Sequence, residues 1–335
     1  MFSDYGLSDR RIARCIAFFL IVAAVFGIGV FVEPAQVGPA PAVRLAADAN
    51  PLAGSPFYVN PKSKARTAAD GVDPRSPELD SVANTPTAYW MDNLSTPSVD
   101  AKYIADAQAA GTIPVLALYG IPHRDCGSFA AGGFGSGDAY RGWIDGVAGA
   151  IGSGPAAVIL EPDALAMADC LSGDQRQERF DLMSYAVDRL TGNPATAVYV
   201  DAGHSRWVAA DDMANRLNQV GVAKARGFSL NTANFFTTEE SMGYGDAISQ
   251  MTGGKPYVID TSRNGAGPAD GDMYWCNPSG RALGAAPTTD TGNGNVDAFL
   301  WVKRPGESDG SCNGGPGAGR FVNSYAIELA RNAGQ

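Results

Sequence analysis

The chain has 335 residues, enough for one large domain or two small ones with a full buried core. A hydrophobic content of 45% and a charged content of 18% describe a globular protein and argue against a disordered one. Acidic side chains outnumber basic ones, 35 to 25, for a net charge of -10; this argues against a nucleic-acid partner, which needs a basic face, and suits a neutral polymer such as a polysaccharide.

The N-terminus reads as a targeting segment. Arg10, Arg11 and Arg14 precede an apolar stretch from Cys15 to Val32. At roughly 18 residues, it is just long enough to span a bilayer. Arginines before it predict the N-terminus inside and the remainder outside. Small-residue sites at Ala40-Pro41-Ala42 and Ala47-Asp48-Ala49 permit cleavage, so signal peptide (1–32) and uncleaved anchor both stay open. The expected location is secreted or anchored on the outer face of the cytoplasmic membrane. Contact with the membrane is expected through this segment alone. Residues 33–50, rich in Ala, Pro and Gly, read as a linker. A single domain is expected over 51–335, as a monomer.

Within it, Phe57-Tyr58-Val59 predicts a short strand and Lys64 to Asp70 a weak helix. Ala88-Tyr89-Trp90 predicts a strand. Ser98 predicts the cap of a helix over 99–110 that Gly111 ends. Thereafter strands and helices alternate: strand 113–119, helix 138–151, strand 156–161, helix 174–191, strand 197–201 and helix 209–221. Strand 227–231, helix 239–252, strand 257–260, strand 297–302 and helix 321–332 complete the domain. The stretch Asn264 to Asn295 lacks an apolar period and predicts a long loop held by Cys276. Strands alternating with helices argue for a parallel sheet with right-handed crossovers. Six or seven such units without a GxGxxG turn favour an α/β barrel over a dinucleotide-binding sheet.

Four cysteines lie in the domain: Cys126, Cys170, Cys276 and Cys312. An even number in an exported domain predicts two disulfides, and three pairings are possible. The pairing nearest in sequence, Cys126 with Cys170 and Cys276 with Cys312, would tie mouth loops to neighbouring helices. The chain has no CxxC pair and only 2 His, which argues against a metal site.

Several strands end in a carboxylate or amide followed by a Gly- or Pro-marked turn, which brings polar groups to one mouth of a parallel α/β fold. Asp125, Asp163, Asp201 and Asp309 are the candidates. Each has a plain alternative: a helix cap for Asp163, a turn for Asp201, a local ion pair for Asp125 and a solvated turn for Asp309. Their grouping is explained by glycosidic bond cleavage, which needs one protonated and one ionised carboxyl group. Crowded carboxylates raise one another's pKa, while Arg124 and Lys303 are placed to hold others ionised. Trp90, Trp207 and Trp275 are candidate platforms for sugar rings, and Trp301, inside a strand, is expected to pack. Asn231, Asn234 and His204 are candidate partners for hydroxyls. His204 has no accompanying Ser or Cys nucleophile motif.

Four segments carry a family resemblance: Tyr119-Gly120-Ile121-Pro122-His123-Arg124-Asp125-Cys126-Gly127, Ile159 to Leu165, Tyr199 to His204, and Trp301 to Gly310. In this order they resemble the signature segments of glycoside hydrolase family 6 cellulases, and Asn50 to Gly54 resembles that family's domain start. The resemblance implies a distorted (β/α) barrel, no cofactor, and inverting hydrolysis of β-1,4-glucan. By the same resemblance Asp163 matches the general acid and Asp201 the carboxylate that assists it. Asp125 matches the residue that raises the acid's pKa and relays a proton from water. Asp309 matches the proposed base, and Tyr119 the tyrosine that crowds the distorted sugar. Trp90, His204, Trp207, Asn231, Trp275, Lys303 and Glu307 match sugar contacts. The four domain cysteines match the family's two disulfides, in the nearest-neighbour pairing. Ala117, where the family usually has Val, and Ser308, where some members have Cys or Ala, are departures.

Exo members that resemble this chain carry a long insertion after the last signature Asp. Here only residues 310–320 separate Asp309 from Phe321, which predicts an open cleft and endo action. The alternatives are an exo-acting cellobiohydrolase, a non-catalytic glucan-binding surface protein and a retaining glycosidase.

Overall fold

A computed structural model describes residues 49–334. The predicted targeting segment with Cys15, and the linker up to Asp48, lie outside the described residues. Asn50, expected at the end of the linker, already belongs to the domain. Its amide donates to the Asp297 carbonyl at 2.6 Å, and its side-chain oxygen accepts from Leu52 N–H at 2.9 Å.

Seven strands, β1 (Tyr89–Met91), β2 (Val115–Leu118), β3 (Ala156–Leu160), β4 (Thr196–Asp201), β5 (Gly227–Leu230), β6 (Tyr257–Asp260) and β7 (Val296–Leu300), pair in chain order. Every pairing is parallel. Alternate residues face opposite sides, as the period of two requires. One set (Ala117, Ala157, Ile159, Tyr199, Val258, Ala298, Leu300) packs together from both halves of the sheet and fills a curled interior. The other (Leu116, Leu118, Val158, Leu160, Val200, Phe228, Ile259) packs against helices. Burial on both faces explains why these strands read as unbroken apolar runs. The curl brings β1 beside β7 without a ladder between them: Ala88 N–H reaches the Trp301 carbonyl at 2.9 Å, and Trp90 Nε1 the Val302 carbonyl at 2.8 Å. This is the distorted barrel. Ala117 lies in its narrow interior, where a smaller side chain than Val is accommodated.

The helices are α1 (Lys64–Asp70), α2 (Pro77–Ala83), α3 (Pro97–Ala109), α4 (Gly137–Ile151), α5 (Gly173–Thr191), α6 (Ala210–Gln219), α7 (Thr238–Met251) and α8 (Asn323–Asn332). Ser136 and Thr237 cap α4 and α7, and Ser172 with Gln175 forms a capping box on α5. Helix α3 starts two residues before its expected start, because Pro97 is suited to the first helical turn and Thr96 precedes it. Helix α2, unanticipated, starts the same way at Ser76-Pro77. The predicted strand at Phe57 reduces to one parallel bridge with Ile113. The long connection after β6 contains no helix or strand through Asn295, as expected.

Both disulfides form in the nearest-neighbour pairing, with Cα–Cα distances of 6.4 Å for Cys126–Cys170 and 6.2 Å for Cys276–Cys312. Each anchors a loop at the carboxyl ends of the strands. Trp301, as expected, is core: it is buried and its Nε1 donates to the Ala285 carbonyl at 2.9 Å.

Candidate active site

The loops at the carboxyl ends of the strands enclose a cleft of about 770 Å³. Its lining includes Trp90, Tyr119, Asp125, Asp163, Trp207 and Asp309. Several of these loops turn through left-handed backbone: φ is 56° at Asp125, 51° at Glu161, 69° at Asp163 and 62° at Asn231. Such residues cost about 1–3 kcal/mol each and persist where the surroundings over-determine them.

The turn after β3 shows how. Glu161, fully buried, accepts from Gly120 N–H (3.1 Å) and Ile121 N–H (3.0 Å), which joins it to the end of β2. Asp163 N–H donates to Asp201 Oδ1 at 3.0 Å. Two buried arginines reach up from the helices. Arg179 of α5 donates to the carbonyls of Ala164, Pro122 and His123, and Arg216 of α6 to that of Leu165. The sharp turn is therefore held on every side while the Asp163 carboxyl itself accepts no hydrogen bond among the described residues. It is not a helix cap, because residues 164–167 only turn.

Electrostatics separate the four carboxylates. Burial first, then the charges of Asp201 and Asp125, push Asp163 well above the ordinary carboxylate range, with Lys303 opposing. Asp201 is also raised by burial, but it accepts from Asp163 N–H, from Gly203 N–H (3.1 Å) and from the Ser229 hydroxyl (3.0 Å). Donors stabilise the charged form, so in this pair the proton resides on Asp163 and the charge on Asp201. Asp125 is raised by burial against the pull of Ala130 N–H (2.6 Å) and Arg124. Burial, then Asp163 and Asp125, also raise the Tyr119 phenol, which stays protonated.

Asp309 behaves differently. Burial would raise it, but Arg263 (2.8 Å), Lys303 (2.9 Å) and Asn277 N–H (3.0 Å) hold it down to about 2. The plain alternative of a solvated turn does not hold: Asp309 is a carboxylate held out of solvent and clamped by two cations. Both oxygens are engaged, and so low a proton affinity makes a weak general base.

The remaining candidates divide. Trp90 stands edge-on to Tyr119 at 5.4 Å, and Arg124 lies over the Tyr119 ring at 4.4 Å. Trp207 is 40% exposed and adjoins His204 at 5.2 Å. Trp275, His204, Asn234, Lys303 and Glu307 line the same cleft. Burial lowers His204 to about 4, so the ring is neutral. Glu307 is gripped by Lys64 (3.1 Å) and Arg304 (2.7 Å). Asn231 departs from the expectation of a sugar contact. It is fully buried, and its amide group bonds the backbone of Phe236 and Asp260, so it presents nothing to the cleft. Among the described residues no cluster of His, Cys, Asp and Glu is placed to hold a metal ion.

A model of the glycosyl hydrolases family 6 matches residues 52–333. The chain belongs to this family. Endoglucanase A of Cellulomonas fimi is 48% identical over 290 residues, 84% of this chain; the chain spans 62% of that relative's length. Endoglucanase A of Thermobispora bispora is 42% identical over 335 residues, which cover 96% of this chain and 70% of that protein. The structure of the endoglucanase Cel6 from Mycobacterium tuberculosis, in complex with methyl-cellobiosyl-4-deoxy-4-thio-β-D-cellobioside, superposes with a TM-score of 0.84 at 66% identity. It covers 86% of this chain and 100% of that one.

Sequence reasoning missed four residues that shape the site of this family 6 domain: Glu161, Asp260, Arg263 and Asn277. Asp260 and Glu161 carried the signal already used for Asp201, a carboxylate at a strand end. Arg263 and Asn277 sit in the long irregular connection, where no periodicity points to a contact with Asp309.

Proposed function

We propose that this glycosyl hydrolase cleaves internal β-1,4-glucosidic bonds of cellulose or a related β-glucan with inversion. The observation that carries the reading is Asp163, a half-buried carboxyl without a hydrogen-bond partner among the described residues, kept protonated first by desolvation and then by the charges of Asp201 and Asp125. In this role Asp163 gives its proton to the leaving glycosidic oxygen. Asp201, fixed by its donors, keeps the charge that favours protonated Asp163 and the positive charge of an oxocarbenium-like transition state. A water on the opposite face attacks, and Asp125, retaining a free carboxylate oxygen, takes up its proton. Asp309 keeps Lys303 in place beside the sugar. Tyr119 crowds the ring at the reacting position, and Trp90, Trp207 and Trp275 stack on neighbouring sugars.

Inversion is supported by the engagement of the other carboxylates: Asp201 is held by three donors and Asp309 by two cations, which leaves Asp125, with one oxygen free, to act on the attacking water. Endo action is supported by the short stretch after Asp309. Relatives named endoglucanase are also 40–48% identical, against 28–29% for those named probable cellobiohydrolases. A purely binding role would leave the Asp163 arrangement without a purpose. The N-terminal segment supports export, with the domain outside the cell as a monomer; protease added to intact cells should digest it.

The test is hydrolysis of a soluble β-1,4-glucan. Viscosity should fall much faster than reducing ends appear, and the first product should be the α-anomer. Cellobiose release at unchanged viscosity would overturn endo action, and an initial β-anomer would overturn inversion.

A further inference from the structure

Asp260 ends β6, is 1% exposed, and takes no part in the chemistry described above. Its carboxylate receives four backbone N–H groups. Ser262 (2.9 Å) and Val302 (3.2 Å) donate to Oδ1, and Ala233 (2.9 Å) and Lys303 (2.9 Å) to Oδ2. A carboxylate has about four acceptor sites, so backbone fills them all. No cation forms an ion pair with Asp260 among the described residues. The donors come from the loops after β5, β6 and β7, which belong to one wall of the cleft.

Two routes lead from these donors to Asp309. Lys303, fixed through its N–H, places Nζ 2.9 Å from Asp309 Oδ1. Ala233, held at a left-handed φ of 58° through its N–H, turns its carbonyl to Arg263, whose Nη1 lies 2.8 Å from Asp309 Oδ2. Ser262, the third donor, immediately precedes Arg263. Both arms of the clamp are thus hung on a single carboxylate that touches neither the substrate cleft nor Asp309.

We propose that Asp260 is a positioning residue that aligns Lys303 and Arg263 on Asp309 and so sets the charge balance around the acid Asp163. The inference rests on the glucanase reading. Asp163 is faced by Asp201 from β4, by Asp125 and Tyr119 from beyond β2, and by Lys303 from beyond β7. Lys303 opposes the raised proton affinity of Asp163. If Lys303 drifts, Asp163 holds its proton more tightly, and the alkaline limb of the activity profile moves to higher pH.

The experiment is Asp260→Asn, which keeps the shape but turns an amide toward two N–H donors. On soluble β-1,4-glucan, kcat should fall about 10-fold or more, since small misplacements in a site are costly. The alkaline limb of kcat/KM should rise by about half a pH unit or more. A residue that merely stabilised the fold would lower the active fraction and leave the limb in place. Asp260→Glu keeps the charge and all four acceptor sites but displaces them by one methylene. It should shift the limb in the same direction by less, and it carries the test if D260N does not fold. A folded variant with the wild-type limb would overturn the proposal, as would a crystal structure of it with the Lys303–Asp309 contact unchanged. That crystal structure reads the clamp without activity, whereas inactivity of the wild-type chain on glucan would overturn the glucanase reading alone.

Discussion

Replacing Asp163 by Asn separates a lost acid from a damaged site. The amide matches the carboxyl in shape, and the backbone hydrogen bonds that fix the residue, from its N–H to Asp201 Oδ1 at 3.0 Å and from Met167 N–H to its carbonyl at 2.8 Å, are untouched. Among the described residues the carboxyl accepts no hydrogen bond, so no donor there is orphaned. What disappears is the transferable proton. General acid catalysis contributes about 10²–10⁴-fold, or about 3–5 kcal/mol of barrier. Turnover of unactivated glucan should fall by at least the lower figure, while binding persists on the Trp platforms. An aryl cellobioside with an acidic leaving group needs little protonation and should lose far less. Stability gives a second readout. Because the folded-state pKa of Asp163 is raised, ionisation of the wild-type group costs stability as pH rises from the unfolded value, about 3.9, toward the folded one. The variant should therefore be at least as stable as wild type at pH 7, with the advantage gone below about pH 4. Kinetics on both substrates and thermal unfolding at pH 3.5 and 7 make the measurement. Equal loss on both substrates in a folded variant would refute Asp163 as the acid.

Two further outcomes follow from the clamp and its disulfide. Asp309→Asn should destabilise the domain at pH 7 by about 3–5 kcal/mol, because Arg263 and Lys303 lose the charge that compensates them. The wild-type pKa is depressed to about 2, so this stability is present above about pH 4 and lost as pH falls toward 2; a pH-independent loss in denaturant titrations would contradict the assignment. Removing the disulfide with C276S/C312S opens a bridge of sequence separation 36 and should cost about 4 kcal/mol. It should also lower kcat, since Asn277, next to Cys276, donates to Asp309; an unchanged denaturation midpoint would show that the bridge is dispensable.

Much of this protein was legible in its residue order. A strand buried on both faces announces itself as a short apolar run, and β2 to β7 were read that way to within two residues at either end. Carboxylates placed just after such runs must lie at the carboxyl ends of parallel strands, which brought Asp125, Asp163, Asp201 and Asp309 together before any coordinates. Short elements were harder: α2 has only seven residues and Phe57 only one bridge, too little for a period to register.

The sequence by itself determined which groups could reach the mouth of the barrel; only the tertiary structure decided what each does there. Asp163 and Asp309 look alike as strand-end carboxylates. One is raised because burial strips its water and two acids face it, and the other is depressed because Arg263, 46 residues away, lies against it. Asn231 likewise read as a ligand for hydroxyls until its amide proved to be spent on Phe236 and Asp260. Proton affinity and hydrogen-bond availability depend on desolvation and on charges within a few ångströms. Those distances are set by loops remote in sequence, and they exist only once the barrel has closed.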